Sequence, residues 1–327
     1  MIAWIFFSCF SPKKVKALRV QGAAEGLTLC PGERTPIVVR ARQTNGRLRT
    51  TDGRRRDRLR WDDVVVRMNE RNFEDGRIWL PQDPRESLNA EYTLEVFLVD
   101  RPEMAVTTTV RPRYDCRYVA DFSGQPGESG ENTTLFQRSG WDGDDGGHGG
   151  PGGEAAAYVN AMEHQGSTLL QVRVTGTRNG QPLNQYYLLD PDGGSLTVDV
   201  SGGPGGVGGS GNDGEDGDDG DLNDNGEQGW GEDGENGGDG GDGGYGGAGG
   251  QGWVVLDPTV EKYADRFHVD ARGGAPGAGG RPGDGGEGGD GDPAGDWGDD
   301  GRWGRDGHAG PDGPDGIYQV EPVKPSF

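Results

Sequence analysis

The sequence predicts a mostly β protein in two parts: a sandwich-type head over residues 15–122 and a glycine-rich arm over residues 140–327. Three observations carry that prediction. Short runs rich in β-branched and aromatic residues, separated by turn pairs, fill the first third of the chain. Glycine then recurs at every third residue over long stretches, and a fixed period reports a repeated structural unit. Glycine supplies 66 of 327 residues and apolar residues only 30 %, against a usual share of about 45–50 %, which excludes one large apolar core.

In the head, Val15–Val20, Thr35–Arg42, Trp61–Met68, Arg77–Leu80, Tyr92–Val99, Ala105–Arg111 and Arg117–Phe122 read as strands. Pro31-Gly32, Asn45-Gly46, Asp52-Gly53, Asp75-Gly76 and Asp83-Pro84 turn between them. Six or seven short strands with such turns predict an immunoglobulin-like sandwich. Cys30 lies near the first strands and Cys116 near the last, so a disulfide between them would close the head; the other reading is two buried thiols. The run Arg54–Arg60 is a basic loop, either solvated or facing anionic groups.

Residues 1–14 form a separate segment. Ile2-Ala3-Trp4-Ile5-Phe6-Phe7-Ser8-Cys9 is an apolar run that ends in a small residue and a cysteine. It resembles the lipobox of bacterial lipoproteins. The resemblance implies that Cys9 becomes the first residue of the mature chain and carries lipid, which would place the protein on a bacterial outer membrane. The alternative is an ordinary hydrophobic N-terminus with a free thiol.

Charge divides the chain. Residues 1–122 hold 22 Lys and Arg against 17 Asp and Glu, net +5; residues 123–327 hold 10 against 38, net −28. The charge of the acidic arm argues against its binding nucleic acid or anionic membranes.

The glycines fall in frames. Gly124, Gly127 and Gly130 form a short one, within 123–139, which reads as a linker. Longer frames cover Gly140–Gly153, Gly202–Gly220, Gly231–Gly252, Gly274–Gly291 and Gly295–Gly316. Strand-like segments interrupt them over 154–201 and 253–273. Two of those strands, Val198-Asp199-Val200-Ser201-Gly202-Gly203 and Val269-Asp270-Ala271-Arg272-Gly273-Gly274, run straight into a frame, which predicts that both arms leave one sheet. A left-handed extended helix has three residues per turn, so period-three glycine lines one edge and lets another backbone approach.

The frames resemble both Gly-X-Y bacterial collagen-like proteins and glycine-rich polyglycine-II bundle proteins. Abundant Gly-Gly-X triplets, sparse proline and short matched frames favour an intrachain bundle of a monomer. Asp221–Gly229 and Asp292-Pro293-Ala294 would then be hairpin turns. A collagen-type homotrimer and a disordered acidic spacer are the alternatives.

Asp221-Leu222-Asn223-Asp224-Asn225-Gly226-Glu227-Gln228-Gly229-Trp230-Gly231-Glu232 fits the pattern of a calcium loop. Oxygens of Asp221, Asn223, Asn225, Glu227 and Glu232 are the candidate Ca²⁺ ligands, since such loops wrap the ion with side chains at these places. Trp297 and Trp303 are six residues apart on one ridge, for packing or for stacking on a glycan. The four histidines are scattered and no catalytic constellation appears. The expectation is a non-enzymatic structural or adhesive protein of the cell surface, touching the membrane only through its N-terminal lipid, with a surface polysaccharide or protein as ligand. A calcium-dependent extracellular binding module is the alternative.

Overall fold

The computed structural model describes residues 14–22, 26–54, 57–68, 73–88, 90–132, 140–222 and 227–325. Cys9, Asn223 and Asn225 lie outside them. The strand content is high and divided among several small sheets. Among the described residues no helix is long and apolar enough to cross a membrane.

Alternation sets the head. In β1 (Val15–Val20) and β4 (Val39–Gln43), Val15, Leu18, Val20, Val39 and Ala41 are buried, while Lys16, Arg19, Arg40 and Arg42 face out. The other strands are β2 (Leu27–Leu29), β3 (Thr35–Pro36), β5 (Leu48–Thr50), β6 (Val64–Met68), β7 (Phe73–Glu74), β8 (Arg77–Ile78), β9 (Tyr92–Leu98) and β10 (Arg101–Pro112). They form sheets β1-β4-β5, β2-β10-β9-β6 and β3-β8-β7. One core joins them, with Leu59, Ile78, Leu80, Leu94, Val96, Leu98 and Val110 fully buried. Burial of each such side chain contributes about 1.5–3 kcal/mol.

The run Arg117–Phe122, expected to close the head, belongs elsewhere. Its strand β11 (Arg117–Asp121) pairs in parallel with β15 (Ser195–Asp199), and β15 with β17 (Phe267–Asp270). Ala120 and Phe122 are buried in a second core with Leu196, Val198 and Phe267. The partner of β11 is 78 residues away, so its own alternation could not disclose which core it fills. The head's ladders therefore end at Pro112.

Above that three-stranded sheet lies a second, in the order β14-β13-β12-β16-β18, built from β12 (Glu154–His164), β13 (Ser167–Arg178), β14 (Gln181–Leu189), β16 (Gln251–Leu256) and β18 (Ile317–Val320). Asn179 and Gly180, at φ 52° and 73°, make the tight turn between β13 and β14. Within the strand-like region 154–201, β12 has no clear strand pattern of its own, because Glu154-Ala155-Ala156-Ala157 lacks strand formers. It is a strand because small Ala155 and Ala157 face the core beneath it, both buried. Between β16 and β17 lies a 3₁₀ segment, Glu261–Arg266.

Six extended rods continue these two sheets: rod 1 (123–132), rod 2 (140–153), rod 3 (201–220), rod 4 (229–250), rod 5 (271–291) and rod 6 (295–316). The expected linker thus begins with a rod. β11, β15 and β17 run into rods 1, 3 and 5, while rods 2, 4 and 6 run into β12, β16 and β18. The expectation that two arms leave one sheet holds for β15 and β17. The junctions repeat one device: Asp121, Asp199 and Asp270 each accept the backbone N–H two residues on, at Ser123, Ser201 and Arg272.

Hydrogen bonds every third residue join the rods. Within one layer they run in parallel, Gly127 N–H to Pro204 O from rod 1 to rod 3 and Gly205 N–H to Ala275 O from rod 3 to rod 5. In the other layer Gly146 donates to Asp242 and Gly243 to Arg305, linking rods 2, 4 and 6. Between layers the bonds are antiparallel: Gly206 to Gly147, Gly244 to Gly206, Gly277 to Gly244 and Gly307 to Gly277, at 2.8–2.9 Å.

The glycines mark where backbones meet. A Cβ on Gly205 or Gly208 of rod 3 would overlap the carbonyl of Gly244 or Gly241 of rod 4. Gly203, Gly206 and Gly209 likewise face the carbonyls of Gln125, Glu128 and Glu131 in rod 1. Past rod 1 the same positions of rod 3 become Asn212, Glu215 and Asp218. In rod 4, Gly238 to Gly250 face rod 2, whereas Glu232 and Glu235 lie beyond its start. The count of glycines per triplet thus reports the number of adjoining rods.

Candidate functional site

The bundle presents two outward faces, each built from the third residue of successive triplets. Those residues carry N–H groups that no rod carbonyl takes, and aspartates supply the acceptor. On the face of rods 2, 4 and 6, Asp142 and Asp145 Oδ1 accept from Asp239 and Asp242 N–H, both at 2.7 Å. Asp239 and Asp242 in turn accept from Arg302 and Arg305 N–H at 2.7 Å. On the opposite face Asp213, Asp216 and Asp219 hold the N–H groups of Asp284, Glu287 and Asp290 at 2.8–3.0 Å. An aspartate is long enough to reach one rod across and no further. The acidity of the arm is therefore partly structural: each clamp satisfies a backbone donor, worth about 1.5–3 kcal/mol when the acceptor is charged and less where water competes.

In one row the clamp is an imidazole. Tyr245 N–H donates to His148 Nδ1 at 3.0 Å, so that imidazole carries its proton on Nε2. The rings of His148 and Tyr245 stack at 4.8 Å and 13°, and Tyr245 meets His308 at 5.3 Å and 35°. Histidines that looked scattered in sequence, 160 positions apart, stand in one row because rods 2, 4 and 6 are in register. His148 and Tyr245 each occupy the residue before a frame glycine, Gly149 and Gly246, whereas His308 follows one, Gly307. With Asp145, Asp242, Arg305 and Asp306 the row borders an open groove of about 280 Å³.

Rod 6 also forms an edge. Trp297 and Trp303 are each 68 % exposed. Between and beyond them, Asp300, Asp306 and Asp312 accept from Gly285, Gly279 and Gly273 N–H at 2.8–3.0 Å. The edge thus alternates clamping aspartates with free aromatic rings.

The calcium-loop segment is the turn between rods 3 and 4. Leu222 and Gln228 form an antiparallel bridge, and Gly229 N–H donates to Asp221 O at 2.8 Å. Asp221 and Glu227 are exposed at this tip. Glu232 is already on rod 4, its N–H bonded to Asp218 O at 2.9 Å. Among the described residues no group of three or more His, Cys, Asp or Glu is placed to hold a metal ion.

Cys30 and Cys116 form the expected disulfide, with Cα atoms 5.9 Å apart. Its role is broader than closing the head. Cys116 O accepts from Ser195 N–H of β15, so the bond ties the head to the sheets of the second core. The same joint holds Arg85 over the Tyr186 ring at 3.8 Å, the Asp190 N–H bonded to Tyr114 O, and an open cleft of about 790 Å³. Burial pushes the Tyr114 hydroxyl up to about 12 and raises Tyr118 and Tyr187 further, so all three are neutral at physiological pH.

No protein-family model matches this chain, and no curated protein matches it.

Proposed function

We propose that this is a non-enzymatic structural or adhesive protein of the bacterial cell surface, whose acidic arm is a monomeric polyglycine-II bundle carried on a β-sandwich and joined to an immunoglobulin-like head. The observation that carries the reading is the intrachain hydrogen-bond network: every third N–H of each long rod goes to another rod of the same chain. A collagen-type trimer would instead send those donors to other chains. Rods of about 20 residues rise about 3.1 Å per residue, so the arm projects roughly 60 Å from its sandwich. That suits a spacer that displays side chains on flat faces. The exposed Trp297, Trp303 and Tyr245 are the groups through which such a surface would hold a polysaccharide or protein. Lipidation of Cys9 would anchor the head side.

Sedimentation equilibrium tests the monomer: a trimer mass that disappears on heating in step with the circular dichroism signal would overturn it. Protease shaving of intact cells tests the location, and protection of the arm in intact but not lysed cells would refute surface display. A calcium-dependent binding module is the second reading, favoured by one observation: the calcium-type pattern coincides with the hairpin between rods 3 and 4.

A further inference from the structure

We propose that the outer face of the β1-β4-β5 sheet is a contact surface for an anionic phospholipid membrane. The proposal rests on the N-terminal anchor reading for its orientation and on the structure for its chemistry.

The three strands contain five cationic residues and no acidic one: Lys16 and Arg19 in β1, Arg40 and Arg42 in β4, and Arg49 in β5. Arg49 points inward and is 4 % exposed. The other four face solvent. Register makes the arrangement unfavourable in the isolated protein. Arg19 stands directly opposite Arg40 in the antiparallel ladder, and like charges at facing positions are destabilising. Among the described residues Lys16, Arg19, Arg40 and Arg42 make no ion pair; Arg40 donates to the neutral Gln21 Oε1 at 3.0 Å. Elsewhere in the head cations are routinely paired, as Arg34 with Glu74, Arg67 with Glu95 and Arg111 with Glu91. Leu48, 41 % exposed, lies beside Arg42 in the same ladder and adds an apolar point to the face.

An anionic bilayer answers each of these features. Its headgroup phosphates neutralise the facing arginines, and its interface receives the leucine. Position in the chain selects the membrane over other polyanions. β1 is the first described strand after Cys9, and six residues from Cys9 to Val15 reach at most about 20 Å. A basic patch beside an N-terminal lipid is a further membrane signal that adds to the hold of the lipid.

The test uses the full chain with Cys9→Ser, which removes any lipid, and measures co-sedimentation with vesicles of phosphatidylcholine alone or with 30 % phosphatidylglycerol. Binding should require phosphatidylglycerol and weaken with salt. Each cation near the surface contributes about a fivefold factor, so Arg19→Gln with Arg40→Gln should lower the partition coefficient about 25-fold. Lys16→Gln with Arg42→Gln should do the same, which guards against one pair acting through misfolding. Undiminished binding in both pairs, equal binding to both vesicles, binding to an acidic polysaccharide but not to vesicles, or a salt-sensitive dimer that buries these residues would each overturn the proposal. Mass spectrometry of Cys9 in native membranes reports on the anchor separately: an acylated Cys9 with no phosphatidylglycerol dependence leaves the anchor standing and removes the basic face.

Discussion

Gly149 and Gly150 are adjacent in rod 2, and replacing each with alanine should have very different results. A Cβ on Gly149 points at Gly203 O of rod 3 and would overlap it by more than about 1 Å, given that carbon and carbonyl oxygen keep about 3.3 Å. A Cβ on Gly150 meets nothing nearer than Gln125 N at 3.2 Å. Gly149→Ala must push rods 2 and 3 apart by about that overlap. The rod 2–rod 3 bonds beside it, Gly203 N–H to Gly150 O at 2.9 Å and Gly206 N–H to Gly147 O at 2.8 Å, then exceed hydrogen-bonding distance. Two bonds lost at about 1–1.5 kcal/mol each, with overpacking of 1–3 kcal/mol, give a cost of about 3–5 kcal/mol. Gly150→Ala needs a shift of only tenths of an ångström, and the stiffer unfolded chain returns about 0.4–1 kcal/mol. Its net effect should lie within about 1 kcal/mol of zero. For a unit of some 200 residues, 1 kcal/mol moves the melting temperature by about 2–4 °C. Calorimetry should therefore separate the variants by roughly 10 °C. Equal melting temperatures would show that rods 2 and 3 are not in contact at this register, and the bundle geometry would fall with that result.

Reduction of the Cys30–Cys116 bond opens a loop of 86 residues, and Cys116→Ser should cost about 2–5 kcal/mol, read as a lower denaturant midpoint for head and sandwich together. Asp242→Ala should destabilise by about 1 kcal/mol and Asp242→Asn by less, because asparagine keeps the acceptor for Arg305 N–H; a larger loss in the asparagine variant would mean that charge, not the clamp, is what matters. Bonds from Arg85 and Arg272 hold the Asp83 and Asp270 carboxyls below the ordinary carboxylate range. Their contribution is complete above the unfolded value near 4 and is lost as pH falls through the lowered folded value; melting temperature should drop below about pH 4, and less steeply in Asp270→Asn. Trp297→Ala with Trp303→Ala should leave stability within about 0.5 kcal/mol and reduce attachment of the purified protein to whole cells; unchanged attachment would remove the tryptophan edge from the adhesive surface. Calcium binding at the turn predicts a melting shift with Ca²⁺ that Mg²⁺ does not reproduce and that Asp221→Ala abolishes.

Local chemistry was legible in the sequence, and pairing at a distance was not. β1 was read residue for residue, because Val15–Val20 alternates and ends in a turn. The turn at Asp221–Gly229 was legible because the glycine phase breaks there. β11 was assigned to the head because its alternation fits either core. β12 has no clear pattern of its own because three alanines conceal a strand whose small side chains are demanded by the sheet beneath. The histidine–tyrosine row was missed for the same reason: nothing near His148 names Tyr245 as its neighbour. Register supplies that link. β12 and β16 pair Glu154 with Gln251, 97 residues apart, and the clamp from Asp142 to Asp239 spans the same 97. The β15–β17 offset of 71 likewise recurs in the clamp from Asp213 to Asp284, whereas β16 and β18 pair 64 apart and the clamp from Asp239 to Arg302 spans 63, a slip of one residue.

That continuity also explains how a glycine-rich arm folds at all. Glycine loses more freedom on ordering than any other residue, and the rods bury almost no apolar surface to offset it. Each interchain-type bond contributes only about 0.5–1.5 kcal/mol net, so isolated rods should not assemble. The sandwich changes the problem. Ala120, Phe122, Val198, Val200, Leu196 and Phe267 bury the ends of the strands that become rods 1, 3 and 5, and Ala155, Val254 and Leu256 do so for rods 2 and 4. Alignment of the six rods is fixed where they leave the sheets, and each further triplet adds hydrogen bonds without a new search for register. The arm should then unravel from its distal hairpins inward. Hydrogen exchange should show the lowest protection at Gly220 and Gly229, and the highest at Gly202 and Gly250, which sit next to the core. Uniform protection along rods 3 and 4 would mean that the bundle is cooperative in its own right and does not depend on the sandwich to set its register.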